Sequence, residues 1–349
     1  LGALDAIAAI RAVAWRDDDL VMARADALDE QFARNGPVGA LHGVPITVKD
    51  WIDVEGFPCA AGSPANAGRR PTRSATVVTR LAAAGALVIA KMNVGASSEL
   101  HGATEHPFAP GRSPGYSSSG DAAAVAAGVV SLGIGSDSCG SLRFPAHCSG
   151  LATLRSTTGR VPVTGHFPRI GPLEDGRSVI GPLCRSVADV ALVMPVLVGP
   201  DGRDPICPPV PWPSTLDSVV GVRVAVHGLD DDAAAPGIRS VLSESAARLE
   251  AAGARVTALD VLDVDESLDI TLRYWGRSLL PAGEVERLLR DWDRVRVRAM
   301  RLLDRFDAVI SPGAPHVAPV IGLQSNADWR YLLAASLWGW PAAVARAGS

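Results

Sequence analysis

The sequence predicts an α/β fold in which a mainly parallel or mixed sheet is covered by helices. Helical patterns alternate with short β-rich runs along the chain. Residues 74–86 have helical spacing with a glycine near the end, and the β-rich run 87–92 follows at once. The same order returns later as a strand at 221–229, a Pro-started and Gly-ended helix at 236–254, and a strand at 255–261.

Four other segments complete the predicted layout. Residues 1–20 have the pattern of one amphipathic helix, and residues 306–315 contain a strand that ends in a Gly/Pro turn. The small-residue run 122–135 is too short to span a bilayer and predicts a tightly packed helix leading into a strand. The Pro-rich segment 198–214 is the candidate boundary inside one large unit.

Composition and charge exclude several classes of partner. The 349 residues include 33 Lys and Arg against 37 Asp and Glu, a net charge of −4, so no basic surface for nucleic acid or an anionic membrane is indicated. Five scattered cysteines without a CxxC pair predict neither a disulfide framework nor a zinc site, and they favour the reducing cytoplasm. No Walker A motif occurs, and no G-x-G-x-x-G follows a strand, so no cofactor and no metal are predicted.

Two serine-containing stretches are candidates for a nucleophile. "GRSPG" has the G-x-S-x-G spacing of a nucleophile elbow around Ser113. The next residue, Pro114, has no N–H to donate to an oxyanion, which argues against that site. The stretch "YSSSG" at 116–120 has the composition of a flexible linker, but the Ala-rich helix that follows immediately argues against a linker.

Three separate segments carry a joint signal: "LHGVPITVKDWIDVEGFPCAAGS" (41–63), "SPGYSSSGDAAAVAAG" (113–128) and "LGIGSDSCGSLRFPAHCSGLATLRSTTGRVP" (132–162). In these segments the chain strongly resembles the amidase signature family of Ser-cisSer-Lys hydrolases. Later blocks of the family also have counterparts in the right order, at 179–205, 307–315 and 338–348. The resemblance implies a single large domain over residues 1–349, with a central mixed β-sheet covered by helices on both faces.

The resemblance also assigns three catalytic residues. Lys49 of "ITVKD" matches the catalytic lysine, Ser117 the bridging serine and Ser141 of "SCGSLR" the nucleophile. Such roles suit these residue types, because a desolvated lysine can be a neutral base and a hydroxyl can both accept and donate a proton. The alternative for Lys49 is an ordinary ion pair with Asp50 or Asp53.

Further site residues follow from the same motifs. The predicted oxyanion hole consists of backbone N–H groups of Ser138, Cys139, Gly140 and Ser141. Supporting roles are expected for Asp137 as a brace of this loop, for Arg143 as its ion-pair partner, and for Ser118 as a nearby hydrogen-bonding residue. The acyl pocket is expected near Trp51, Tyr116, Phe167 and Trp338, although these aromatic residues could equally belong to the core. Cys139, beside the predicted nucleophile, is an alternative nucleophile.

The chain departs from the family pattern at several positions. Tyr116 and Ser119 replace glycines, and Asp121 replaces a small residue. Because the family holds its bridging serine after a cis peptide, we expect a cis Tyr116–Ser117 bond. The sequence also stops at "VARAGS", before C-terminal strands and a helix that the family leads one to expect.

The expected function is hydrolysis of a small-molecule amide to an acid and ammonia or an amine. The first alternative is the A-type component of a glutamine-dependent tRNA amidotransferase, which belongs to the same family and releases ammonia for a partner protein. A non-catalytic binding descendant of the family is a weaker alternative, against which the intact Lys49, Ser117 and Ser141 argue. We expect a small amide as substrate, no direct contact with nucleic acid or membrane, and leave a homodimer open.

Overall fold

The computed structural model describes residues 1–171, 175–213 and 216–348. The chain divides into two compact units, which we call unit 1 and unit 2. Unit 1 consists of Leu1–Trp212, Ala318–Leu323 and Pro341–Arg346. Unit 2 consists of Pro213–Val317, Gln324–Trp340 and the residues from Ala347 onward. The chain first passes from unit 1 to unit 2 after Trp212, within the Pro-rich segment 198–214.

The described strands belong to two sheets. In unit 1 they are β1 (Val13–Trp15), β2 (Pro45–Lys49), β3 (Leu87–Met92), β4 (Leu132–Asp137), β5 (Ala152–Arg155), β6 (Val179–Cys184) and β10 (Ala342–Val344). These seven pair in the order β1-β3-β2-β4-β6-β5-β10. Strands β3, β2 and β4 run parallel, whereas the pairs β1-β3, β4-β6, β6-β5 and β5-β10 are antiparallel. The predicted mixed sheet is therefore confirmed.

The described helices of unit 1 pack on this sheet or on one another. They are α1 (Gly2–Ala8), α2 (Asp18–Asn35), α3 (Thr76–Ala83), α4 (Ser119–Ala126), α5 (Arg143–Ser149) and α6 (Val187–Leu197). The buried helix α4 lies directly against β4, where a Cβ on Gly133 would meet Asp121 Cβ at 2.9 Å and one on Gly135 would meet Ser118 Oγ at 2.5 Å. Glycines on the strand and small residues on the helix thus allow the close approach that positions Ser117 beside the sheet.

Unit 2 contains a parallel three-stranded sheet of its own. Its strands β7 (Arg223–Val226), β8 (Arg255–Ala258) and β9 (Ala308–Ile310) pair in the order β8-β7-β9. The helices of this unit are α7 (Pro236–Ala251), α8 (Val264–Trp275), α9 (Ala282–Leu303) and α10 (Leu333–Trp338). Helix α9 buries Leu288, Trp292, Val295 and Ala299, a spacing of four, three and four residues that gives one apolar face.

The prediction of one amphipathic helix over residues 1–20 is wrong. Helix α1 ends at Ala8, Arg11 takes a left-handed conformation at φ 58°, and β1 follows. Strand β1 gains backbone pairing with β3, with Val13 opposite Met92. Asp17 then begins α2, because its carboxylate accepts a hydrogen bond from Leu20 N at 3.0 Å. Tertiary pairing and a new N-cap therefore override the apolar periodicity.

Substituting Gly120 tests the close packing of α4. A Cβ at Gly120 would lie 2.5 Å from Ala12 O and 2.7 Å from Asn93 N, which are backbone atoms that cannot rotate away. We expect Gly120→Ala to lower the free energy of unfolding by about 1–3 kcal/mol, measured by urea denaturation. The matched control is Gly2→Ala in α1, where the new Cβ meets nothing within 4 Å. Equal stability of the two variants would contradict this packing.

Candidate active site

Lys49 is the last residue of strand β2, and its side chain is fully buried. Its Nζ lies 2.7 Å from Ser117 Oγ, 3.0 Å from Ser136 Oγ and 3.4 Å from the Ser136 carbonyl oxygen. The same Nζ lies 4.0 Å from the centre of the Trp51 ring. The structure therefore brings the predicted lysine and the predicted bridging serine into direct contact.

The environment of Lys49 favours its neutral form. Burial removes the hydration of the ammonium and lowers the pKa of Lys49 to about 7, although the negative charges of Asp121 and Asp137 act in the opposite direction. The ion-pair alternative for Lys49 is wrong. Asp50 instead lies 3.5 Å from Lys91 Nζ, and Asp53 pairs with Arg69 at 2.6 Å.

Ser117 lies in the turn that leads into α4. The predicted cis bond before it is wrong: within the described residues the cis peptide is Phe167–Pro168, and Tyr116–Ser117 is trans. A non-proline cis bond costs about 3–4 kcal/mol, and the trans bond already brings Ser117 Oγ to Lys49. Ser118, which follows, donates from Oγ to the Ser136 carbonyl oxygen at 3.3 Å and so joins this turn to β4.

Ser141 occupies the loop between β4 and α5. It is partly exposed, and it follows Gly140. The backbone φ of Gly140 is 122°, a value that residues other than glycine rarely adopt. Among the described contacts, the Ser141 hydroxyl has no hydrogen-bond partner, so no bond joins it to Ser117. Hydrogen bonds at catalytic residues often tighten only when substrate is bound. The Ser117–Ser141 link stays a prediction.

A buried carboxylate accepts hydrogen bonds from the Ser141 loop. Asp137 accepts hydrogen bonds from Gly140 N at 2.7 Å, Leu142 N at 3.2 Å and Arg143 Nε at 2.9 Å. Burial acts to raise the pKa of Asp137, but Arg143, Arg155 and the Gly140 N–H outweigh it and lower the pKa to about 2. Asp137 therefore accepts backbone hydrogen bonds from residues on both sides of Ser141, and its role as a brace of this loop stays a prediction.

The predicted oxyanion hole needs one correction. Gly140 directs its N–H to Asp137 Oδ1 and so does not offer it to a substrate. The N–H groups of Ser138, Cys139 and Ser141 stay predicted donors. The Ser138 hydroxyl, separately, forms a short hydrogen bond with the Ser178 hydroxyl.

Sequence reasoning missed two residues around Lys49. Ser136 on β4 accepts a hydrogen bond from Lys49, and His166 Nε2 lies 2.9 Å from Ser136 Oγ. Ser136 falls inside the motif segment 132–162, and His166 lies just beyond it. A lone serine in "GIGSD" and a lone histidine in "TGHFP" carry no spacing signal. Only the fold shows that they are neighbours.

A second acidic group lies close to the lysine. Asp121 on α4 is fully buried and accepts a hydrogen bond from Thr47 Oγ1 at 2.8 Å. Burial is the largest influence on its carboxyl and raises its pKa to about 7, against the opposing effects of Thr47, Lys49 and Lys91. Asp121, which replaces a small residue of the family motif, therefore adds a titratable group beside the predicted base.

Three of the four predicted pocket aromatics belong to unit 1, as Lys49 does. The Trp51 ring lies against Lys49 Nζ. Phe167 donates its backbone N–H to the Trp51 carbonyl oxygen at 2.6 Å. Tyr116 precedes Ser117 and stacks on Phe144 with 4.5 Å between ring centroids. Trp338 belongs to unit 2, where its ring packs edge-on against Trp340 at 5.0 Å. A role for any of them in binding an acyl group stays a prediction.

Three other properties of the described chain bear on its chemistry. The described residues place no group of three or more His, Cys, Asp or Glu side chains where it could hold a metal ion. All five cysteines are free thiols. In the described part of the chain, none of the helices combines the length and the apolar character needed to cross a membrane.

Comparison with known proteins identifies the family. The model of the Amidase family matches residues 4–280, which is more than half of the chain. The chain belongs to the amidase family. A solved structure described as an amidase has a TM-score of 0.84 to this chain with 25% sequence identity, and the match covers 99% of this chain and 87% of the other. The mixed-sheet α/β fold is the fold of that amidase.

Two relatives indicate how function varies among such amidases. An indoleacetamide hydrolase of Bradyrhizobium diazoefficiens is 39% identical over 254 residues, which are 69% of this chain and 48% of that protein. The A-type component of the glutamyl-tRNA(Gln) amidotransferase of Chloroflexus aurantiacus is 40% identical over 221 residues, 61% of this chain and 44% of that protein. The matches span less than half the length of these two relatives.

Neutralising Asp137 tests its role as the brace. Asp137→Asn removes the charge that compensates the buried Arg143, and breaking such a pair typically costs about 3–5 kcal/mol of unfolding free energy. Urea denaturation measures the loss. The matched control is Glu30→Gln in the exposed Arg34–Glu30 pair, which should change stability little. A similarly small effect for Asp137→Asn would mean that the loop is held by other contacts.

Proposed function

We propose that the chain hydrolyses the C–N bond of a small-molecule amide through an acyl-enzyme on Ser141. The observation that carries this proposal is the 2.7 Å contact between Lys49 Nζ and Ser117 Oγ in a buried site. A lysine with a pKa of about 7 is neutral in a large fraction of molecules at neutral pH, so it can accept a proton. Membership of the amidase family supports the same reaction.

Acylation follows from the chemistry of these groups. Ser141 Oγ attacks the amide carbonyl carbon and gives its proton to Ser117 Oγ, while the proton of Ser117 passes to Lys49 Nζ. The negative charge that develops on the carbonyl oxygen is stabilised by N–H groups of Ser138, Cys139 and Ser141. Lys49 thereby becomes an ammonium, and its charge is offset by Asp121 and Asp137 nearby.

Breakdown of the tetrahedral intermediate reverses the proton path. The C–N bond breaks as the proton on Lys49 returns through Ser117 to the leaving nitrogen, which departs as ammonia or an amine. Water then attacks the ester on Ser141 and gives a proton to the same path. The acid leaves, Ser141 recovers its proton, and no redox step or cofactor is needed.

The neighbouring thiol is a poor competitor for Ser141. Cys139 is 6% exposed, and burial raises the pKa of its thiol to about 11, with the nearby arginines only partly opposing this. A buried thiol of this kind is almost entirely protonated at neutral pH, whereas the thiolate is the reactive form. These properties favour a backbone role for Cys139.

A second candidate function is ammonia supply within a tRNA amidotransferase. The 40% identity to the A-type component from Chloroflexus aurantiacus favours it, and the same proton path would serve it. The two functions differ in their need for partners. A hydrolase acts alone on simple amides, whereas an amidotransferase component depends on partner proteins to transfer the ammonia.

Replacing the nucleophile tests the proposed reaction. The purified protein without partners is assayed for ammonia or amine release from aliphatic, aromatic, ureido and peptide amides. We expect Ser141→Ala to lower kcat by at least roughly 10³-fold, because the acyl-enzyme cannot form. Cys139→Ala is the matched control and should keep kcat within about tenfold. Retained activity in Ser141→Ala would overturn the assignment, and activity that appears only with partner proteins would favour the amidotransferase.

The pH dependence tests Lys49 as the base. Because the base must be neutral, the single-turnover rate of acylation should rise with pH, reach half its maximum near pH 7 and level off above it. Asp121→Asn removes a charge that stabilises the ammonium and should move the midpoint to lower pH. A rate that stays flat between pH 6 and pH 9 would speak against Lys49.

A further inference from the structure

A chain of hydrogen bonds connects Lys49 to a histidine that the proposed mechanism does not use. Lys49 Nζ lies 3.0 Å from Ser136 Oγ, Ser136 Oγ lies 2.9 Å from His166 Nε2, and His166 Nδ1 lies 2.7 Å from the Pro168 carbonyl oxygen. All these residues belong to unit 1. Lys49, Ser136 and His166 are all buried, with His166 7% exposed, so the two contacts that join these three side chains are shielded from water.

The direction of each of these hydrogen bonds follows from the last acceptor in the series, the Pro168 carbonyl oxygen. A carbonyl oxygen only accepts, so the nitrogen facing Pro168, Nδ1 of His166, must carry the hydrogen. Burial is the largest influence on His166 and lowers its pKa to about 4, although the hydrogen bond to the Pro168 carbonyl acts in the opposite direction, so the ring is neutral at neutral pH. A neutral imidazole with its hydrogen on Nδ1 has a bare Nε2, which can only accept.

The bare Nε2 of His166 determines the direction in which the Ser136 hydroxyl donates its hydrogen. The Ser136 hydroxyl has one hydrogen, which must point to His166 Nε2 for this contact to be a hydrogen bond. Toward Lys49 the Ser136 oxygen is then an acceptor, so an N–H of Lys49 points to it. The Ser136 carbonyl, 3.4 Å away, can take a second N–H. The lone pair of the neutral amine is left for the hydroxyl of Ser117.

We propose that His166 is a positioning residue that, through Ser136, keeps the lone pair of Lys49 directed at Ser117. This inference rests on the proposed amide hydrolysis. Without the acceptor on His166, the Ser136 hydroxyl is free to rotate and donate to Lys49, which would occupy the lone pair needed for proton transfer. His166 therefore sets the orientation of the base without touching substrate.

The location of His166 fits this role. Its backbone N–H donates to Val163 O at 3.0 Å, and it forms an isolated β-bridge with Ile52, three residues beyond Lys49. Its ring packs edge-on against Trp51, the same ring that lies over Lys49 Nζ, with 5.8 Å between centroids. The segment that carries His166 is thus joined to the end of β2, which also positions the lysine.

The first measurement requires no activity. In protein labelled with ¹⁵N at histidine, the ring shifts of His166 should report a hydrogen on Nδ1 and a bare Nε2, unchanged from pH 8 down to about pH 5. His166→Gln identifies the resonance. A hydrogen on Nε2 would overturn the proposal whether or not the protein hydrolyses amides. If the tautomer is as expected but wild-type protein hydrolyses no amide, the proposed function fails instead.

The second measurement compares kinetics in matched variants. His166→Leu removes the acceptor and should lower kcat on the high-pH plateau by roughly 10- to 100-fold with little change in KM, because the base is neutral but misdirected. A role confined to shifting the pKa of Lys49 would instead let high pH restore kcat. His166→Gln, whose side-chain oxygen can accept from Ser136, should recover most of the loss.

A double-mutant cycle separates this role from a structural one. Ser136→Ala removes the intermediary, so adding His166→Leu to it should cost no further activity. Losses that multiply in the double variant, or a wild-type plateau in His166→Leu, would overturn the proposal. If His166→Leu does not fold, judged by urea denaturation, the cycle is run with His166→Phe in its place and the same outcomes decide.

Discussion

The contact between Lys49 and Ser117 depends on removing a lysine from water. Nζ of Lys49 is fully buried at the end of β2, where the aromatic face of Trp51 and two serine hydroxyls replace its hydration. Desolvation of a cation is normally unfavourable, and the protein accommodates it by letting the group lose its proton near neutral pH. The same burial that makes this lysine unusual as a structural residue makes it suitable as a base.

The region around this lysine separates two kinds of buried charge. Asp137 stays ionised because Arg143 and backbone N–H groups of the loop that carries Ser141 compensate it. Asp121 has a hydroxyl partner in Thr47, and its pKa lies much closer to neutrality. Asp137 is therefore an ionised group beside the Ser141 loop, whereas Asp121 adds a charge that varies with pH near Lys49.

The sequence predicted the strands around the candidate site better than the contacts within the site. The alternation of helical and β-rich patterns predicted β3 at its observed bounds. The motif segments 41–63 and 113–128 identified Lys49 and Ser117, which the structure places in contact. Each of these signals lies within one short stretch of the sequence. The cis bond at Tyr116 was inferred from the family and not from this residue's own chemistry, and it is trans. The break after Ala8 was invisible to periodicity, since it depends on pairing with β3, which lies about eighty residues away.

The contacts of Ser136 and His166 show why the surroundings of Lys49 could not be predicted from the sequence. Neither residue has a spacing rule, and their relation to Lys49 exists only after β4 and the 163–168 segment have docked beside β2. Hydrogen-bond direction is a property of such a network as a whole. It becomes defined only when its last acceptor, the carbonyl of Pro168, is in place.

The parallel pairing of β2 with β4 has a consequence for the stage of folding at which Lys49 becomes buried. Residues 46–48 of β2 pair with residues 132–134 of β4, so no hairpin can join them and a long crossover must be completed first. Before β2 and β4 have paired, Lys49 is exposed to water, and a hydrated lysine keeps its ordinary, much higher pKa. The lowered pKa of Lys49 is therefore a property of the assembled sheet, and the segment 41–63 on its own would not possess it.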